Sequence, residues 1–542
     1  MPEISQSTKK LIQKYQAWYQ SLEKKENVSF IHVDEVASRV AEFYEKLRAI
    51  VDWQEEHLMK RGAIARTLKR RFLLAKEGKN ISEPLILELI RGGHFPNDNI
   101  EETKIGDVEK ILNKYIYILE NNPSSSRAIA KGSEKQKMQL YNWLLSITAC
   151  EIEEILSPSH KERDLIDYMT ESMIDKIRVQ QGVISIGGMT EEEKNRQIYI
   201  AVQRALFKLD SPIITYHLLK KREGQWADLP TAKLHEIAQN IFSIWESLEK
   251  ELNHHLKDKF YKICERYDTP YLLLGDILIS GENPAKIYEK ISKPEDLEES
   301  IKKAYNKRSS TLKQRLFRAA VYSTLSIFLT NIAALYVLEI PLAKMTGRTF
   351  SPLTIVVDIL ESTFLMFLLV ATIKPPSKSN LEIVLLETMK IIYKTEKTDI
   401  YEIKVPKKRG SLVKFFIALL YLIGASVSIG VIVAIFEWAK FPPTSMVINL
   451  ISVALVAFAG LAIRNRGEEL TVEEKKAGFF SFIFDILFLP IVGLGQWLSN
   501  KWKKYNAIAV FFSALVDLPF EIFIEFLEQW RYFLKEKKEE IH

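Results

Sequence analysis

Cysteine is nearly missing from this sequence. The 542 residues hold two, Cys150 and Cys264, and neither sits in a Cys-x-x-Cys or similar cluster. That excludes a disulfide framework and a cysteine-rich zinc site, and it fits a polar region kept in a reducing compartment. Catalytic signatures are missing as well. There is no Gly-x-x-x-x-Gly-Lys-Ser/Thr loop, no Gly-x-Ser-x-Gly elbow and no His-Glu-x-x-His, because His235-Glu236 is followed by Gln239 where the second histidine would stand. Gly493-Leu494-Gly495 lacks a third glycine and lies in an apolar tail. One Glu-x-x-His occurs, Glu251 to His254, without the second such motif that a two-metal carboxylate bundle requires. The sequence therefore assigns no catalytic residue, no metal ligand and no cofactor, and reads as a non-enzymatic chain. The opening MPEISQSTKK has no apolar core, so no cleavable signal peptide is expected.

Strand signals are scarce too. Only Val179 to Ile186 and Ile391 to Val405 have β character. Elsewhere before residue 300 the apolar positions recur at helical spacing, as in Val36, Val40, Phe43, Leu47 and Val51, after the candidate cap Asp34. This spacing predicts helices over 34–76, 83–92, 104–121, 134–156, 161–179, 190–209, 212–221, 230–266 and 294–315. Thr190 with Glu193 forms a capping box. Asn121-Asn122-Pro123, Ser157-Pro158-Ser159, Gly187-Gly188 and Ser211-Pro212 read as turns between them.

What the sequence does have is long apolar runs, all in its second half. Ala319–Leu338, Phe415–Phe436 and Phe441–Ile463 contain no charged residue. Each can cross a hydrocarbon core of about 30 Å at about 1.5 Å per residue. Pro352–Ile373 is as apolar except for Asp358 and Glu361, and is read as a fourth span. The expected fold class is all-α: a multi-helix soluble N-terminal bundle followed by a polytopic α-helical membrane domain. The expected parts are a helical region over 1–300, as one bundle or as two over about 1–122 and 123–300, and a basic juxtamembrane helix over 301–318. Four spans follow, over about 319–340, 352–373, 415–437 and 441–463, with a basic loop over 374–414. Residues 464–542 form interfacial or re-entrant amphipathic helices and a charged tail. Six spans is the alternative.

Lysine and arginine orient the spans. Lys302, Lys303, Lys307, Arg308, Lys313, Arg315 and Arg318 precede the first, and ten basic residues lie in the 374–414 loop. The short connections hold few: Lys344 and Arg348 in one, Lys440 in the other. Both termini and the 374–414 loop are therefore expected on the cytoplasmic side of a plasma-type membrane. Pro341 with Gly347, and Pro442 with Pro443, suit the outward turns.

Three groups of residues stand out as candidate sites. Asp358 and Glu361 are three residues apart, hence on one helical face, inside a span. They serve an ion or proton path, or they sit at the outer end and pair with Lys344 or Arg348. Lys60, Arg61, Arg66, Lys69, Arg70 and Arg71 form a basic patch, read as a solvated face, a dock for an anionic leaflet or acidic protein, or, least, a nucleic-acid contact. Asp517, Glu521, Glu525 and Glu528 make an acidic stripe on an amphipathic tail helix. Asp52, Glu55, Glu56 and His57 crowd together but fit local salt bridges. The net charge of +6 favours acidic surfaces. With no nucleic-acid module in view, nucleic acid is not expected as a partner.

The partners expected are the lipid bilayer, a protein bound through the N-terminal helices, and further copies of the chain through the small face Gly424, Ala425, Ser428 and Gly430. The leading expectation is a membrane-anchored scaffold or adaptor. A transporter or channel component using Asp358 and Glu361 is the alternative, and a membrane-tethered enzyme comes third.

Overall fold

In the computed structural model, the described residues are 3–21, 29–34, 40, 56–74, 81–122, 133–180, 189–224, 226–279, 284–345, 352–371, 373, 376–394, 399–403, 410–472, 479–504, 526, 529–530 and 533–534. Helix dominates them. The chain divides into two compact units. One is built from Lys10–Ile177 and Gly187–Glu265, with the described residues of Ala509–His542; the other from Arg266–Ile508 with Met1–Lys9 and Arg178–Ile186. The border thus falls at Arg266, before the change in composition near residue 300. The acidic stripe Asp517, Glu521, Glu525 and Glu528 lies outside the described residues, as do Asp52 and Glu55.

The first of these units is a helical bundle around Ser133–Leu156, which packs against Glu56–Leu74, Thr103–Glu120 and Ser211–Glu223. Near its C-terminal end that central helix is buried on most faces, through Ile147, Ala149, Cys150 and Ile152, so Glu151 and Glu153 are buried with it. The predicted cap at Thr190 is present: its hydroxyl accepts the Glu193 N–H at 3.1 Å. The helix predicted over 230–266 is broken, into Thr231–Leu252 and Lys257–Arg266. The His254 ring accepts the Leu256 N–H at 3.2 Å, a local bond that turns the chain between them.

Glu153 supplies a test of this core. Burial pushes its carboxyl up to about 8 from an ordinary 4.5, and the nearby Arg61 and Lys60 offset this only in part. The folded state therefore holds a proton that the unfolded state releases. The stability it contributes is full below about pH 4.5 and is lost as pH rises through about 8. Melting temperature should fall across that window in the wild type, and Glu153→Gln should flatten the profile there. An unchanged profile would show that Glu153 is charged in the fold.

Among the described residues, the second unit contains four helices long and apolar enough to cross a membrane: Pro294–Leu342, Thr354–Ala371, Ser411–Trp438 and Pro443–Gly467. The basic helix before the first span is continuous with it, as one helix Pro294–Ala334 followed by a π-turn, Leu335–Glu339, and a last stretch Ile340–Met345. Pro341 is inside this helix rather than in the turn expected of it. It has no N–H to donate, and the ladder shifts to π spacing just before it. Pro442 and Pro443 open the fourth span, where a missing N–H costs nothing.

Three shorter helices, Asp268–Leu278, Pro284–Ser292 and Lys378–Ile392, pack around the lower part of the first helix. The last of these runs through what reads in the sequence as a basic loop. Its buried Asn380 donates to Tyr305 Oη at 3.0 Å and to the Leu470 carbonyl at 2.7 Å, and accepts the Val472 N–H at 2.8 Å. A short strand pair forms where the two β signals begin and end: Ile177–Val179, which meets the first signal at Val179, lies beside Tyr401–Ile403 within the second, and residues 181–186 lie outside the described residues.

The tail helix Phe479–Lys504 packs along the third and fourth spans. Pro490 interrupts its ladder and leaves the Ile486 carbonyl without its usual donor. Gly424 of the third span approaches that carbonyl so closely that a Cβ would sit 2.8 Å from it. Ser428 donates to the next carbonyl, Leu487, at 2.5 Å. Two members of the small-residue face expected to join copies of the chain, Gly424 and Ser428, are thus covered by the chain's own tail helix. Gly430 has nothing within 4 Å of a would-be Cβ.

Candidate functional site

The second span, Pro352–Ala371, places Asp358 and Glu361 six and nine residues from its start, about 9 and 13 Å along the helix axis. Glu361 is therefore near mid-span, and neither acid lies at the rim. Asp358 is buried, and the Asn449 side chain from the fourth span donates to its Oδ1. The first helix adds a third acid. Its π-turn ends at Glu339, which is 1 % exposed. Each of the three carboxyls lies within electrostatic reach of the other two.

Polar neighbours extend this cluster along three helices. Ser445, Asn449 and Ser452 follow one another at spacings of four and three on the fourth span, and Ser362 exchanges a 3.1 Å hydrogen bond with Ser452. Asn331 of the first helix donates to the Ile359 carbonyl at 3.4 Å. Thr354 donates to the Ala439 carbonyl at 3.1 Å. The acids themselves are less well served. Glu339 Oε2 and Glu361 Oε1 are buried without a hydrogen-bond partner, and so is the Ser445 hydroxyl, which lies beside Glu339 without completing a bond to it. Among the described residues no lysine or arginine forms an ion pair with any of the three; Lys344 is exposed, and Arg348 lies outside the described residues.

An ionised side chain at the bilayer centre costs roughly 2.5–3.5 kcal/mol on insertion scales. Of the three, Glu361 is the nearest to mid-span, while Glu339 closes the first span beside Ser445, two residues into the fourth. No group of three or more His, Cys, Asp and Glu among the described residues is set to hold a metal ion. What the cluster can do is take up and release protons between helices, one of which carries a π-turn. Such turns recur at functional sites.

Sequence reading identified Asp358 and Glu361 but not Glu339, which stands one residue past the uncharged run Ala319–Leu338. The signal was present in Asn331 and Glu339, eight residues apart on one helical face, and in the Ser445, Asn449 and Ser452 stripe. It requires three spans to be read together.

The basic patch has a different fate. Arg61 forks onto Asp210, the cap of Ser211–Glu223. Arg70 and Arg71 both meet Glu88. Lys60 lies over the Phe95 ring at 5.6 Å. Only Arg66 and Lys69 are exposed. Half of the expected solvated or docking face is therefore internal ion pairing. The Glu251 to His254 motif is likewise spent locally: Arg196 reaches Glu251 at 3.3 Å, and His254 lies 3.7 Å from Glu193 and against His255.

One further buried network had no sequence signal. Glu151 accepts from Lys114 Nζ at 2.6 Å, Tyr115 Oη at 2.8 Å and Trp226 Nε1 at 2.9 Å, and Lys114 also donates to the Trp226 carbonyl at 2.9 Å. Both carboxylate oxygens are engaged and the ammonium has two acceptors. It is a closed structural network, in contrast to the membrane acids. Comparison of the chain with protein-family models, with curated proteins and with solved structures gives no match, so the geometry alone carries the functional reading.

Proposed function

We propose that the membrane unit is a proton-coupled transporter or a component of a proton pathway, with Glu339, Asp358 and Glu361 as the groups that hold and release the proton. The observation that supports this reading is the trio itself: three carboxyls from two apolar helices, Glu339 and Asp358 buried and Glu361 half-buried, with no cation partner among the described residues and two buried oxygens unbonded. A scaffold or adaptor would be served by apolar spans alone, and nothing in that role requires carboxyls at this depth. Half of the patch most suited to partner docking is turned onto the protein's own acids. Lysine and arginine bias supports an orientation in a cytoplasmic membrane with the segment before the first span, residues 374–414 and the segment after residue 463 inside.

The test is proton flux in liposomes containing the full chain and a pH-sensitive dye, driven by a pH step and by a potassium diffusion potential. The wild type should collapse the gradient at least tenfold faster than empty liposomes, and Glu361→Gln and Glu339→Gln should each remove most of that rate. A wild type no faster than empty liposomes under both driving forces would refute the proposal.

A further inference from the structure

At the foot of the first span lies a second feature, independent of the carboxyl cluster. A cavity of about 660 Å³ opens on the helix Pro294–Ala334, lined by Lys290, Lys303, Lys307, Arg308 and Arg315. Two acids face it, Asp276 and Glu469. Asp276 is already engaged, in a fork from the Arg308 guanidinium, with Nη2 to Oδ1 at 2.8 Å. Five cations against two acids leave the cavity with an excess of three positive charges.

Its position selects the ligand. Arg315 stands four residues, about 6 Å, before the uncharged run that begins at Ala319. Glu469 and Leu470 of its wall come just after the fourth span ends at Gly467. The end of the cavity at Arg315, Glu469 and Leu470 is therefore framed by two helices where they leave the hydrocarbon, at the level of the lipid headgroups, and Lys307 and Lys303 line its continuation about 18 and 24 Å from the uncharged run. Basic pockets between helices at this level suit phosphate headgroups. Arginine adds a planar fork that matches phosphate oxygens. We infer that this cavity binds the phosphate headgroup of an anionic phospholipid.

The full chain, purified in a zwitterionic detergent, would be given dioleoyl phosphatidylglycerol, dioleoyl phosphatidylcholine or inorganic pyrophosphate, and bound lipid read by native mass spectrometry with melting temperature in parallel. The wild type should retain phosphatidylglycerol at least tenfold over phosphatidylcholine. Lys303→Gln/Lys307→Gln/Arg315→Gln should bring that ratio to near one. Lys302→Gln/Lys313→Gln/Arg318→Gln removes the same charge from the same helix outside the cavity and should keep the preference. Equal loss in both triple variants, or no preference in the wild type, would overturn the site. Stabilisation by pyrophosphate without lipid, lost in the cavity variant, would overturn the lipid assignment in favour of a soluble phosphate. If the cavity variant does not melt as a folded protein, Arg315→Gln alone decides, with at least a threefold loss expected and an unchanged ratio counting against the proposal.

Discussion

Replacing Glu151 by leucine should lower the melting temperature of its helical unit by about 10 °C. The reason is what the change leaves behind. Lys114 is 7 % exposed and its ammonium would keep one acceptor, the Trp226 carbonyl, while Tyr115 Oη would lose its acceptor and Trp226 Nε1 would keep only a 3.3 Å bond to Tyr115 Oη. Burial already holds the Lys114 ammonium below its ordinary range, with Glu151 acting against that. Removing one partner of such a pair costs about 3–5 kcal/mol, mostly because the other charge stays buried, and in a unit of this size each kcal/mol corresponds to roughly 2–4 °C. The double variant Lys114→Met/Glu151→Gln removes the charge from both sides and keeps an acceptor for Tyr115 and Trp226. It should recover more than half of the loss. Melting followed by tryptophan fluorescence reads both variants, since Trp226 is part of the network. If the double variant melts no higher than Glu151→Leu, the pair is not what the single change disturbs.

How far such features could be read from the sequence depends on their range. Periodicity is a property of neighbours, so the helices at 82–91, 103–120, 133–156 and 191–207 and the four apolar spans were legible. Pairing between distant segments was not. The strands Ile177–Val179 and Tyr401–Ile403 stand more than 200 residues apart, and nothing local shows that they meet each other. Lys378–Ile392 looked like a loop because its surroundings are rich in lysine; Asn380, which ties it to Tyr305 and Leu470, is a single polar residue in the string. The basic patch misled for the same reason. Six cations at helical spacing look like a solvated face until Asp210 and Glu88, distant in sequence, are brought against Arg61, Arg70 and Arg71. At the membrane site, Asp358 and Glu361 stood out as charges in an apolar run. Glu339 did not, since it closes its span in the sequence and becomes internal only through the π-turn and the packing of the second and fourth spans.

Gly495→Val should separate the tail helix from the spans it covers, with the largest effect of any glycine change in the membrane unit. A Cβ at Gly495 would sit 2.0 Å from the Ala454 carbonyl oxygen and 2.9 Å from Phe458 Cβ. The first of these is backbone within the fourth span and cannot swing aside as a side-chain tip can. The helices must therefore move apart where Ala454, Ala457, Ile491 and Val492 are packed together. Overpacking of this kind costs about 1–3 kcal/mol for a small addition, and valine adds two methyls beyond the Cβ that already collides. Gly430→Val is the matched control, because nothing lies within 4 Å of its Cβ on an exposed face of the third span. Glycine is a poor helix former, so Gly430→Ala should raise stability slightly and Gly430→Val should leave it near the wild type. Size-exclusion profiles and melting in detergent measure the contrast. Gly495→Val should melt well below both Gly430 variants, and a cysteine introduced at Ala454 should become accessible to a thiol reagent in that background alone. Equal melting of the two valine variants would mean that the tail helix does not rest on the fourth span at this point. In that case the covering of Gly424 and Ser428 fails with it, and the small-residue face of the third span becomes open again to a second copy of the chain.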